Sequence, residues 1–102
     1  MDRRLQLDQE LRELLGSSNV YYQPPESLRL KYDCFVYELD RPDITRANDK
    51  VYLHRRQYSL THIYRDPDMS MEETIIAHFD HASKNTHFTS EGLNHDVYSI
   101  YY

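Results

Sequence analysis

The stretch "HFDHASKNTH" holds the residues best suited to chemistry, with His78 and His81 three apart, Asp80 between them and His87 beyond. Imidazoles and carboxylates hold zinc when three or four converge at about 2 Å from the ion. A His-x-x-His step supplies only two, at a spacing less typical than the four-residue step of zinc helices. A small metal-dependent hydrolase using His78, His81 and His87 is therefore the lowest of the alternatives. The simpler reading puts His78 and His81 on the wet side of a helix whose Phe79 faces the core.

Other catalytic patterns are missing. Cys34 lies in the apolar run Tyr32 to Tyr37, where a buried, inert thiol is expected. As the single cysteine it excludes an internal disulfide and fits a reducing compartment. Asp66 and Asp68 flank Pro67 in a step that forms turns more readily than acid/base pairs. Gly16 and Gly92 are the only glycines, which excludes a glycine-rich phosphate loop and a dinucleotide fingerprint, and G-x-S-x-G does not occur. No catalytic residue, cofactor or metal is assigned, and the chain reads as a non-enzyme.

Stepping from side chains to the elements that carry them, 102 residues make one domain with a core of ordinary size. Leu7, Leu11, Leu14 and Leu15 form one stripe of a helix over residues 1–16, closed by Gly16. Pro24 and Pro25 make residues 17–27 a connector. Residues 28–64 read as an antiparallel strand pair joined by a projecting charged loop over 40–50. In its second strand Tyr58, Leu60, His62 and Tyr64 share a face. Ser70 and Glu73 form a capping-box pattern that opens a helix over 70–82, with Ile75, Ile76, Phe79 and Ala82 as its apolar face. Residues 86–102 supply a short strand near His87 to Thr89, a turn at Glu91 and Gly92, and a closing strand. The order α-β-β-α-β-β predicts an α+β domain: a single, mostly antiparallel sheet packed with two helices.

A net charge of −5 argues against a broad nucleic-acid footprint, because such binding is driven largely by phosphate neutralisation. No stretch approaches the ~20 apolar residues of a membrane span, and "MDRRLQLDQE" lacks the apolar segment of a secretory signal. A cytosolic product without a membrane partner is expected. Ten tyrosines and no tryptophan serve either protein interfaces or strand formation. The ending "LNHDVYSIYY" alternates, with Val97, Ser99 and Tyr101 on one face and Tyr98, Ile100 and Tyr102 on the other. Both faces want cover.

The leucine-striped helix closing at "LLGSSNVYYQPPES", the strand "LKYDCFVYEL", the segment "NDKVYLHRRQYSLTHIYRDPD" and the terminal "HFTSEGLNHDVYSIYY" carry a resemblance that spans almost the whole chain. In these segments the sequence is similar to the small tail terminator, or tail completion, proteins of long-tailed bacteriophages and prophages. None of the shared segments is a catalytic signature. The resemblance implies an α+β subunit that forms a six-membered homomeric ring on the tail tube, stops tail polymerisation and presents the head-docking surface. It implies as partners the tail tube protein and a head-completion or connector protein, with DNA only as cargo through the lumen. Its place would be the head–tail neck of the virion, after assembly in the host cytoplasm. A head-completion role on the capsid side is the alternative.

A head-to-tail ring joins two different patches of the subunit. The residues expected at such interfaces are Tyr21 and Tyr22 in the connector, and Tyr101 and Tyr102 if the closing strand is an edge near a subunit boundary, the alternative being a central strand that both helices cover. Arg41, Asp43, Arg46, Asp49, Lys50 and Arg55 join them from the polar hairpin, whose length and charge exceed what a sheet turn needs. If acids of a chain at −5 line the channel, DNA is repelled from its wall.

Overall fold

The computed structural model describes residues 3–40 and 56–102. The chain is α+β, with two α-helices on a single mixed five-stranded sheet of order β1-β2-β3-β5-β4. The hairpin residues Arg41, Asp43, Arg46, Asp49, Lys50 and Arg55, and most of the loop over 40–50, lie outside the described residues.

Helix α1 (Arg3–Leu15) forms where the leucine spacing predicts it. Leu7 and Leu11 are fully buried, and Leu14 and Leu15 pack partly buried at the margin of the core. Gly16 ends the helix at φ 73°, and its N–H and that of Ser17 both donate to the Arg12 carbonyl. A side chain there would meet open space, so the left-handed backbone alone explains the glycine.

The expected connector contains a strand. β1 (Val20–Tyr22) runs parallel to β2 (Cys34–Leu39), with Val20 opposite Phe35 and Tyr22 opposite Tyr37. Three residues are too few for alternation to register, and a parallel partner lies beyond residues 23–33. β2 begins six positions later than expected, since "LRLKYD" alternates but finds no strand to pair with. Leu28 and Tyr32 are left exposed.

β2 and β3 (Gln57–Tyr64) form the expected antiparallel pair, Cys34 opposite Ile63 through Leu39 opposite Tyr58. Pro67–Met69 is a 3-10 turn in which the Asp66 carboxylate accepts the Asp68 N–H at 2.9 Å, so the Asp-Pro-Asp step does form a turn. Helix α2 is shorter than the span over 70–82, covering Glu72–His78. Ser70 Oγ accepts the Glu72 N–H at 3.4 Å, while Met71 occupies the cap position. Phe79 turns extended and His81 sits at φ 61°, so Ala82 lies outside the helix and Ile76 is exposed.

β4 (Ser83–Ser90) exceeds the three residues expected of it and pairs with β5 (Leu93–Tyr101) across the Glu91–Gly92 turn. β5 is an interior strand between β3 and β4, which is the central alternative for the closing strand and not the edge, and Tyr98 and Ile100 are fully buried. The edges are β1 and β4. Leu7, Leu11, Val20, Phe35, Tyr37, Tyr58, Leu60, Ile75, Phe79, Tyr98 and Ile100 form one core, so both described α-helices cover the same sheet face.

Candidate functional site

The core phase of two neighbouring strands contains a polar residue each, and the register sets His62 of β3 directly against Asp96 of β5. Asp96 is 0% exposed. Its carboxylate accepts the Tyr64 hydroxyl at 2.8 Å and His87 Nδ1 at 2.5 Å, with Lys84 Nζ at 3.7 Å. Lys84 also pairs with Glu72 at 2.8 Å, tying β4 to α2. Burial by itself would raise the Asp96 pKa, but the hydrogen bonds from His87 and Tyr64 and the Lys84 charge outweigh it and hold the carboxyl below its ordinary value.

A carboxylate that orients an imidazole through Nδ1 is half of an acid/base apparatus. The other half is a substrate cleft, and neither His87 nor Asp96 lines the groove beside Tyr102 or the cavity beside His62. What the pair does is fasten the edge strand β4 to its neighbour.

A second polar node joins the ends of the chain. Glu10 on α1 accepts the Tyr102 hydroxyl and meets His78 Nε2 at 2.9 Å, while the Arg3 guanidinium lies 4.9 Å from the Tyr102 ring. Burial and the Glu10 contact push the Tyr102 phenol up to about 12. Gln6, Gln9, Glu10, Glu13 and Tyr102 line an open groove of about 310 Å³.

The four tyrosines expected at an interface separate into two faces. Tyr22 and Tyr102 lie on the helix-covered side, Tyr22 with its ring tilted at 42° against Tyr37 at 4.8 Å and with Arg4 4.5 Å from its ring. Tyr21 and Tyr101 belong to the other phase, opposite Val36 and Gln57, and both are half-buried. The Tyr21 hydroxyl accepts the Lys31 N–H at 3.1 Å. Many of the other tyrosines are core: Tyr37, Tyr58, Tyr64 and Tyr98 are buried.

The three histidines considered for a metal are dispersed into separate contacts, His78 on Glu10 and His87 on Asp96, with His81 exposed beyond the helix. Among the described residues no group of three or more His, Cys, Asp or Glu side chains is placed to hold a metal ion. Cys34 is buried, and burial pushes its thiol up to about 12, so thiolate is scarce near neutral pH.

The sheet's other face presents Val36, Gln57, Ser59, Thr61, Val97, Ser99 and Tyr101, all half-buried, beside the buried Cys34 and Ile63, and no described α-helix packs on it. All eight residues of β4 are exposed, including Phe88 at 46%. Sequence reading found only the part of this strand near His87 to Thr89, because "SKNTHFTS" has no apolar alternation to mark its length. It also passed over Asp96 and His62, although a polar residue in the core phase of an alternating strand was a visible signal.

The fold is α+β, and among the described residues one sheet face is covered by both α-helices and the other by none. The chain matches no protein-family model, no curated protein and no solved structure. Among the described residues no helix is long and apolar enough to cross a membrane.

Proposed function

We propose that this protein is a structural, non-enzymatic component of a phage virion: a tail terminator whose copies form a ring on the tail tube, stop its growth and present the surface that docks the head. The observation that carries the reading is the one-sided cover of the sheet. Both described α-helices lie on one face, and among the described residues the opposite face is half-exposed over Gln57, Ser59, Thr61, Val97, Ser99 and Tyr101 and all eight residues of the β4 edge are exposed. A long unpaired strand edge is a template for another chain, and isolated proteins commonly cover or blunt it. The open face and the bare edge are also different patches, as a head-to-tail ring requires.

The partners in this reading are further copies of the chain, the tail tube protein and a connector at the head, in the neck of the virion. DNA passes as cargo and no cofactor takes part. The choice of partners rests on the resemblance of the sequence to tail terminators, and the exposed surfaces offer room for them.

Electron microscopy of lysates from the parent genome with this gene disrupted tests the reading. Overlong tails beside separate DNA-filled heads are the expected result. Tails of normal length beside detached heads would move the protein to the capsid side of the joint, and intact infectious particles would overturn the virion role altogether.

A further inference from the structure

The backbone of the β4 edge has a pairing geometry that can be read from its neighbours. Arg56 gives its N–H to the Tyr102 carbonyl and Tyr102 gives its own to the Arg56 carbonyl, each at 3.0 Å. In an antiparallel ladder bonded pairs alternate with unbonded ones, so the even-numbered residues of β5 bond β3 and the odd-numbered ones bond β4. Leu93, His95 and Val97 are therefore bonded to Ser90, Phe88 and Thr86. Between these, the N–H and carbonyl groups of His87 and Thr89 turn outward from the edge of the sheet.

The other edge of the described sheet cannot take up these groups on a second copy. β1 is three residues long, and its Val20 N–H is already given to the Ser18 carbonyl at 2.8 Å. An edge of eight residues is matched by another of its own length.

Register follows from the ends of the strand. The ladder is irregular between Lys84 and Thr86, and Glu91 and Gly92 occupy left-handed backbone, which confines regular strand on the outer side to residues 86–90. Within that segment, a two-fold axis at Phe88 is the antiparallel arrangement that lets His87 of each strand bond Thr89 of the other and uses both residues' groups. Phe88 then faces its own copy as an unbonded pair, with Cα atoms about 4.5 Å apart and side chains together on the open face. Each ring stacks on His95 at 4.6 Å and is 46% exposed, so the pairing buries apolar surface. Charge agrees with this direction. Lys84 stands near the start of β4 and Glu91 just beyond its end, so antiparallel copies bring each ammonium near the other's carboxylate, whereas parallel copies align like with like.

We infer that the free subunit pairs with a second copy of itself through β4, antiparallel about Phe88, so that one sheet runs across both chains. This goes beyond the ring: the pair is the form of the subunit before assembly, and it keeps the edge from open-ended association until the ring takes it.

Sedimentation velocity of the unaltered chain should show a reversible equilibrium between monomer and dimer. Phe88→Lys sets two ammonium groups opposite each other and should weaken that equilibrium at least tenfold. Air oxidation of cysteine variants reads the register, the native Cys34 being buried. Phe88→Cys should form a covalent dimer, because its Cα atoms would lie within the about 4.4–6.8 Å that a disulfide spans. Thr86→Cys and Ser90→Cys should each fail to cross-link alone and cross-link when mixed, since Thr86 faces Ser90 of the other copy. A chain that stays monomeric at every concentration, or a dimer in which neither Phe88→Cys nor the mixed pair cross-links, would overturn the inference. The mixed pair decides the register even if Phe88→Cys does not fold. Sedimentation reads the free subunit and tail length reads the ring, so either conclusion can fail while the other stands.

Discussion

His62 and Asp96 show what single side chains contribute when a sheet register buries them together. The unfolded chain binds a proton on His62 near 6.5, whereas the folded chain binds it only near 4 because burial disfavours the imidazolium. Stability from this residue is thus fully present above 6.5, declines as pH falls and is lost below about 4, a difference of about 3 kcal/mol. Denaturant unfolding from pH 7 to pH 4 should show that decline, and His62→Gln should flatten it. Asp96 titrates lower still, below the ordinary carboxylate value, so its contribution disappears only in more acidic solution. Asp96→Ala removes the acceptor for Tyr64, His87 and Lys84 and should cost about 3 kcal/mol. His87→Ala should cost no more than about 1 kcal/mol, since its side chain is 44% exposed and solvent can replace the bond. Equal losses in the two variants would show that the carboxylate is not the centre of the network.

At the scale of elements, turn geometry governs the β4–β5 hairpin. Glu91 at φ 53° and Gly92 at φ 78° both occupy left-handed backbone, the requirement of a two-residue hairpin turn of type I′. Glutamate tolerates that conformation poorly, and asparagine is favoured at such a position. Glu91→Asn should therefore raise stability by about 0.5–1 kcal/mol, seen as a melting temperature a few degrees higher. Gly92→Ala should lower stability by about 1 kcal/mol through backbone strain alone, because the space beside Gly92 is open. An unchanged melting temperature in both variants would mean the hairpin is not held by its turn. The turn itself was legible, since Glu91–Gly92 separates two runs with strand character. The length of β4 was not, because a strand exposed along all eight residues has no buried phase to mark it.

The whole molecule separates tyrosines that stand side by side in the chain. Tyr102 packs against the core and bonds Glu10, whereas Tyr101 lies half-buried on the face without a described helix. Tyr102→Ala should cost about 2 kcal/mol in thermal or denaturant unfolding of the isolated subunit. Tyr101→Ala should cost less than about 1 kcal/mol, yet lower the titre of phage complemented with the variant if the open face contacts another subunit. Phe88→Lys on the β4 edge should behave like Tyr101→Ala, since Phe88 is 46% exposed and loses its stacking on His95 at 4.6 Å. Normal titres with both Tyr101→Ala and Phe88→Lys would remove the open face and the edge from the assembly.

By itself the sequence determined the elements whose periodicity is local: the leucine stripe of α1, the closing Gly16, the alternating phase of β3 and β5, and the α+β class that follows. Those features depend on neighbours three, four or two residues away, so they can be read along the chain. Only the tertiary structure decided that Val20–Tyr22 is a strand, because its partner lies beyond residues 23–33 and no periodicity spans that distance. It alone made β5 an interior strand and β4 an edge, since strand order depends on pairing and not on chain position. His62 could be placed in the core phase of β3 from alternation, but its position opposite Asp96 and on the wall of a cavity with Asp33 arises from register and packing between distant segments.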